Sequence, residues 1–139
     1  MGSTGVPRGL TSYADLARHL RTDEVLRADA SLSVRVLRES VLQARSLPNG
    51  AALDAFHREP PATDLPGWDT ILAGAAVFTG AGRVSAGVLD WCDDPSRTCT
   101  ELFDPLGIPH RYRLLEMLRT PAAFRERNVI LAAGNLEGV

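Results

Sequence analysis

The sequence contains no lysine, and all fifteen of its basic residues are arginine. This absence excludes a lysine Schiff base and the phosphate-binding lysine of a P-loop. It leaves a chain whose positive charges are planar, bidentate donors, which suit carboxylate or phosphate partners.

Cysteine and long apolar runs are also scarce. Two cysteines, Cys92 and Cys99, are too few for a disulfide framework, so we expect two reduced thiols. No run approaches the roughly 20 apolar residues of a membrane span. The N-terminal stretch MGSTGVPRGL lacks the apolar core of a secretory signal. These observations predict a cytoplasmic protein that does not enter a membrane.

The length and composition predict one folded unit. The chain has 139 residues, which fits a single domain, and 45% of them are hydrophobic, which is enough for a core. Its net charge of −2 gives no overall field that would attract nucleic acid. We predict a disordered tail over residues 1–10 and a single helical domain over residues 11–139.

Apolar periodicity and capping signals predict helices in the first half of the chain. Ser12, followed three residues later by Asp15, is typical of a helix start. The clearest helix spans residues 31–45, in which Val34, Leu37 and Val41 fall on one stripe.

A proline-rich stretch separates these helices from a helix of small residues. Pro60 and Pro61 end one helix near Arg58, and the next helix is expected to begin near Trp68. Gly74 and its alanine neighbours fill little volume. We therefore expect another helix to approach this one closely.

The second half of the chain is less regular. Residues 88–109 are rich in proline and aspartate, which predicts a long loop with short helical turns. The segment that follows this loop is basic, and we expect its arginines to pair with the acidic side chains of the loop.

Three signals follow this loop. Thr120 before proline predicts a helix cap, residues 129–131 are expected to be extended, and three leucines can form a short apolar helix face (Leu114, Leu115 and Leu118). Together the patterns predict an all-α fold: a small irregular helical bundle with at most one short strand near the C-terminus.

Candidate catalytic and metal-binding residues are isolated in the sequence. His57 and the pair Asp93-Asp94 are the groups that an enzyme would use, but no nucleophile motif accompanies them. Cys92 and Cys99 lack the second ligand pair of a structural zinc site. We predict no catalytic residue, no metal and no cofactor.

Two phrases of the sequence resemble a known family. EPP, followed by GWDTILAG at residues 67–74, and TPAAFRERNVIL at residues 120–131 are similar to the C-terminal region of actinobacterial helix-turn-helix-associated proteins. The resemblance runs roughly from Val34 to Leu136. It implies a regulatory or antitoxin-like helical module, often encoded beside a nucleotidyltransferase-like protein that is its target.

The resulting hypothesis is a non-enzymatic module that binds a protein partner. Because aromatic and arginine side chains are the usual interface anchors, the predicted contact residues are those that follow. They are Trp68, Asp69, Trp91, Arg125 and Arg127.

Two alternatives stay open at this stage. One is a DNA-binding regulator that reads DNA through the helices of residues 12–47, although no recognisable helix-turn-helix is present. The other is an enzyme that uses His57 or Asp93-Asp94. The sequence does not decide whether the chain forms a homo-oligomer.

Overall fold

The fold is all-α, as the sequence predicts. The computed structural model describes residues 12–137. For Pro66 it describes the backbone but not the side chain. The predicted tail over residues 1–10 lies outside the described residues. Within them the helices are α1 (Tyr13–Thr22), α2 (Glu24–Ala28), α3 (Ala30–Ser46), α4 (Ala51–Phe56), α5 (Pro66–Gly80), α6 (Arg113–Leu118), α7 (Ala122–Arg125) and α8 (Gly134–Glu137).

Side-chain caps set the boundaries of the first three helices. The Ser12 hydroxyl accepts a hydrogen bond from the Asp15 amide, which confirms the predicted start of α1. Asp23 and Asp29 cap α2 and α3 in the same way. Each carboxylate satisfies amides that a helix start would otherwise leave unpaired.

Helix α5 is the centre of the bundle, and it begins at Pro66 rather than near Trp68. Proline is favoured there because its missing N–H is not needed in the first turn. Ile71, Leu72 and Ala75 are fully buried. Helices α1, α3 and α7 and the turns that follow Leu89 all pack against α5.

The predicted close approach to α5 occurs at Gly74. A Cβ atom on Gly74 would lie 2.7 Å from Cδ1 of Phe124, so only glycine lets this ring of α7 reach the helix backbone. Phe124 is fully buried and also packs edge-on against Phe78 at a centroid distance of 6.0 Å. This contact holds the C-terminal segment onto the central helix.

The long loop contains short 3-10 turns, as predicted, at Asp90–Asp93 and Pro95–Arg97, and a third turn, His110–Tyr112, follows it. One isolated parallel bridge joins Phe103 to Val129, and among residues 12–137 there is no longer strand. The extended segment at residues 129–131 therefore pairs with the loop rather than with a sheet.

The predicted role of Thr120 is wrong. The residue before α7 is Pro121, which provides no side-chain cap. The Thr120 hydroxyl instead donates to the Glu116 carbonyl and accepts from the Leu131 amide. Thr120 thus ties the end of α6 to the extended segment.

Replacing Gly74 with alanine tests the contact with Phe124. In an open helix this change stabilises by ~1 kcal/mol. Here we expect a net loss of ~1–2 kcal/mol in the free energy of unfolding, because the fully buried ring cannot easily move. Denaturant unfolding measures the change.

Gly134→Ala is the matched control, since nothing lies within 4 Å of the added methyl group. It should leave stability unchanged or slightly raised. Adding Phe124→Leu to the Gly74→Ala variant should restore part of the lost free energy of unfolding. Equal stability of the two alanine variants would show that the contact does not constrain the fold.

Candidate protein-binding surface

Two of the predicted contact residues lie at the first turn of α5. Trp68 belongs to the core and is only 6% exposed. Asp69 is partly buried, and its Oδ1 accepts hydrogen bonds from the amide and the hydroxyl of Thr63, both at 2.8 Å. Asp69 therefore holds the end of the proline-rich stretch onto α5, and Trp68 is part of the core.

Trp91 belongs to the same internal network. Its indole N–H donates to the His57 carbonyl at 3.0 Å, and the Arg97 guanidinium lies 4.8 Å from its ring centroid. Arg97 is itself buried and donates to the carbonyls of Pro60 and Asp69. Arg97 thus joins the prolines, the loop and α5, a role that no local sequence pattern indicates.

The two predicted arginine contacts have different settings. Arg127 is buried and donates to the carbonyls of Ala123 and Cys92, while Asp93 lies 4.0 Å away. Arg125 is exposed. Of the five predicted contact residues, Trp68 and Arg127 lie in the interior, Asp69 and Trp91 are partly buried, and Arg125 is at the surface.

His57 is fully buried, so a substrate cannot reach it in this structure. Its Nδ1 lies 2.8 Å from the Leu53 carbonyl, to which it donates, and its Nε2 lies 2.8 Å from the Thr79 hydroxyl. Tyr13 also bonds to that hydroxyl, at 2.9 Å. Burial lowers the pKa of His57, and the nearby Arg83 lowers it further. The ring is a neutral core residue.

The acidic pair has no converging geometry. The side chain of Asp93 is 88% exposed, whereas Asp94 accepts hydrogen bonds from the amide and hydroxyl of Ser96. These bonds lower the pKa of Asp94. Asp94 is therefore the cap of a 3-10 turn.

The two cysteines lie in separate settings and are not part of a metal-ligand cluster among the described residues. Cys92 is buried, and burial raises the pKa of its thiol to about 12. Cys99 is partly buried and donates to the Thr70 hydroxyl. Across residues 12–137 no group of three or more His, Cys, Asp or Glu side chains is arranged to hold a metal ion.

The helices proposed as a DNA-reading head carry almost no net charge. Residues 12–47 carry six arginines and five carboxylates, so their formal charge is +1. A single residue, Asp29, separates α2 from α3, which is shorter than the usual three- or four-residue helix-turn-helix turn. Arg27 is held by the carbonyls of Leu20 and Thr63.

Exposed apolar side chains cluster instead on α6. Seven large hydrophobic residues are exposed in the part of the chain that the structure describes, and four of them fall within residues 112–118. Leu114 is 69% exposed, Leu115 47% and Leu118 67%. We call these three residues the leucine face. Exposed apolar groups in one patch mark interaction sites, whereas scattered ones do not.

The other residues of α6, Arg113, Glu116 and Met117, are partly buried, and the two polar ones bond to other segments. Arg113 pairs with Asp104 at 3.4 Å, and the carboxylate of Glu116 accepts hydrogen bonds from Ala132 and Asn135. Thr120, just beyond the helix, is buried. Helix α6 is therefore inverted relative to an ordinary surface helix, whose apolar stripe faces the core.

Comparison with known proteins gives no relative: no protein-family model, no curated protein and no solved structure matches this chain. None of the helices among the described residues is long and apolar enough to cross a membrane. The candidate surface therefore depends on the geometry of α6 alone.

The buried His57 generates a prediction about pH. Its folded-state pKa lies below the unfolded value near 6.5. As the pH falls below ~6.5, the unfolded chain takes up the proton first, so stability is full above that pH and declines below it. We expect a slope of up to ~1.4 kcal/mol per pH unit from this residue.

Unfolding free energies measured at several pH values between about 7 and about 5, a range that brackets the unfolded-state pKa of histidine, give this slope. His57→Gln should flatten the profile, although it lowers stability overall. His110→Gln is the control. Because His110 is exposed, this change should keep the wild-type slope. An unchanged slope in His57→Gln would contradict the neutral, buried assignment.

Proposed function

We propose that this chain is a non-enzymatic protein-binding module that docks a separate protein through the leucine face of α6. The observation that carries the proposal is the inversion of this helix. The partly buried polar side chains of α6 bond to other segments of the protein, while its three leucines are presented to solvent.

The exposed leucines supply a source of binding energy. Full burial of a leucine side chain contributes ~1.5–3 kcal/mol, so covering these partly exposed leucines would contribute favourably to association. The helix beneath them is held by hydrogen bonds to residues 131–133. A surface that is already ordered loses little entropy when it binds.

The settings of the other candidate residues also favour binding over catalysis. His57 is buried in the core, Asp94 caps a turn, and the residues around Trp91 are joined to one another. Binding through α6 requires none of these groups.

The partner that we propose is a toxin-like protein encoded by a neighbouring gene. The support is the resemblance of residues 34–136 to antitoxin-like modules. Under this proposal the chain neutralises its partner by covering an apolar site on it. The regulatory effect then depends on a stable complex.

The test is co-expression of the chain with the product of the neighbouring gene. Wild type should co-purify as a complex and should restore growth if that product is toxic. Leu114→Ser/Leu118→Ser should weaken the complex about 30-fold or more, because two interface leucines together contribute at least ~2 kcal/mol. Titration calorimetry measures the dissociation constant.

Val25→Ser is the matched control, since Val25 is 65% exposed and lies on α2. All variants should unfold with nearly wild-type free energy, because exposed positions contribute little to stability. The absence of a complex, or equal binding by the double variant, would contradict the proposal. So would self-association of the wild type that the leucine substitutions abolish.

A further inference from the structure

We infer that the partner presents an apolar strip with a carboxylate at each end, and that Arg111 and Arg119 form ion pairs with these carboxylates. This inference rests on the proposed function and adds the chemistry of the partner. It follows from where the arginines of this segment lie relative to the leucine face.

The two arginines mark the ends of the leucine face. Arg111 lies four residues before Leu115, and Arg119 lies four residues after it. Arg111 belongs to the 3-10 turn that leads into α6, and Arg119 is the residue that follows the last turn of α6. The two arginines therefore flank the leucine face at its two ends.

Neither arginine has a carboxylate partner among the residues that the structure describes. Both are exposed. The Arg111 guanidinium lies 4.9 Å from the ring centroid of Tyr112, which restricts it without neutralising it. By contrast, Arg113 on the opposite side is paired with Asp104. Arg111 and Arg119, the two arginines beside the leucines, are not paired in this way.

The acidic residue of this segment does not cancel this charge. Residues 110–119 hold three arginines and one glutamate, a formal charge of +2. The Glu116 carboxylate is turned inward to Ala132 and Asn135. The outward side of α6 is therefore apolar with positive ends, and its complement is apolar with negative ends.

This pattern distinguishes a protein partner from the other occupants. A nucleic-acid backbone would satisfy the arginines but would leave the leucines without an apolar contact. A second copy that met the same face across a two-fold axis would place arginine opposite arginine, which is repulsive. An acidic, apolar protein site matches both features.

Charge reversal of the two arginines tests the inference. We compare the wild-type chain with Arg111→Glu/Arg119→Glu in titrations against the product of the neighbouring gene, at low and high salt. The reversal should weaken binding about 30-fold or more, since carboxylates would then face carboxylates. The wild-type affinity should fall as salt rises, and this dependence should be lost in the variant.

Arg35→Glu/Arg58→Glu is the matched control, because it makes the same change in net charge at two exposed arginines of other elements. It should bind within about threefold of wild type, as charges outside an interface change affinity little.

The two proposals fail in different ways. If the complex is lost in Leu114→Ser/Leu118→Ser but unchanged in Arg111→Glu/Arg119→Glu, this inference is overturned and the proposed function stands. Wild type that forms no complex overturns the proposed function itself. Salt-sensitive binding to duplex DNA that the charge reversal abolishes would also overturn the inference.

Discussion

The contact between Phe124 and Gly74 is the constraint on which the C-terminal half of this structure depends. The ring lies where a Cβ atom of Gly74 would be, so α7 is fixed against the central helix. From Phe124 the constraint passes along the chain, since its carbonyl accepts from Val129, and Leu131 donates to Thr120. Ala133 then donates to the Arg119 carbonyl. These bonds set the rotation of α6 and thus the direction of its leucines.

Arginine serves two distinct purposes in this chain, according to what surrounds it. Arg97 and Arg127 are buried and donate to backbone carbonyls, so they join segments that are distant in sequence. The planar guanidinium suits this role because it can serve several acceptors at once. Arg111 and Arg119 have no carboxylate partner within residues 12–137 and border an apolar face. The same residue type therefore supports both the fold and the proposed interface.

Much of the fold could be predicted from the sequence, because its signals are local. The stripe on α3, the Ser12 cap and the small residues of α5 each depend on neighbouring positions. The direction of α6 could not be predicted from its own residues, which are leucines on one side and Arg113, Glu116 and Met117 on the other. Partners from distant segments, Asp104 and Ala132, decide which side is inside. Trp68 and Arg127 illustrate the same limit, because their residue types are common both in interiors and at interfaces.

The most direct test of the account is a measurement of solvent access to the leucine methyl groups in the isolated chain. Methyl NMR with a soluble paramagnetic agent reports this access for each leucine separately. We predict strong relaxation for Leu114 and Leu118 and weak relaxation for the fully buried Leu72 and Leu131. If the methyl groups of Leu114 and Leu118 were as protected as that of Leu72, α6 would not be inverted and the proposed docking surface would not exist.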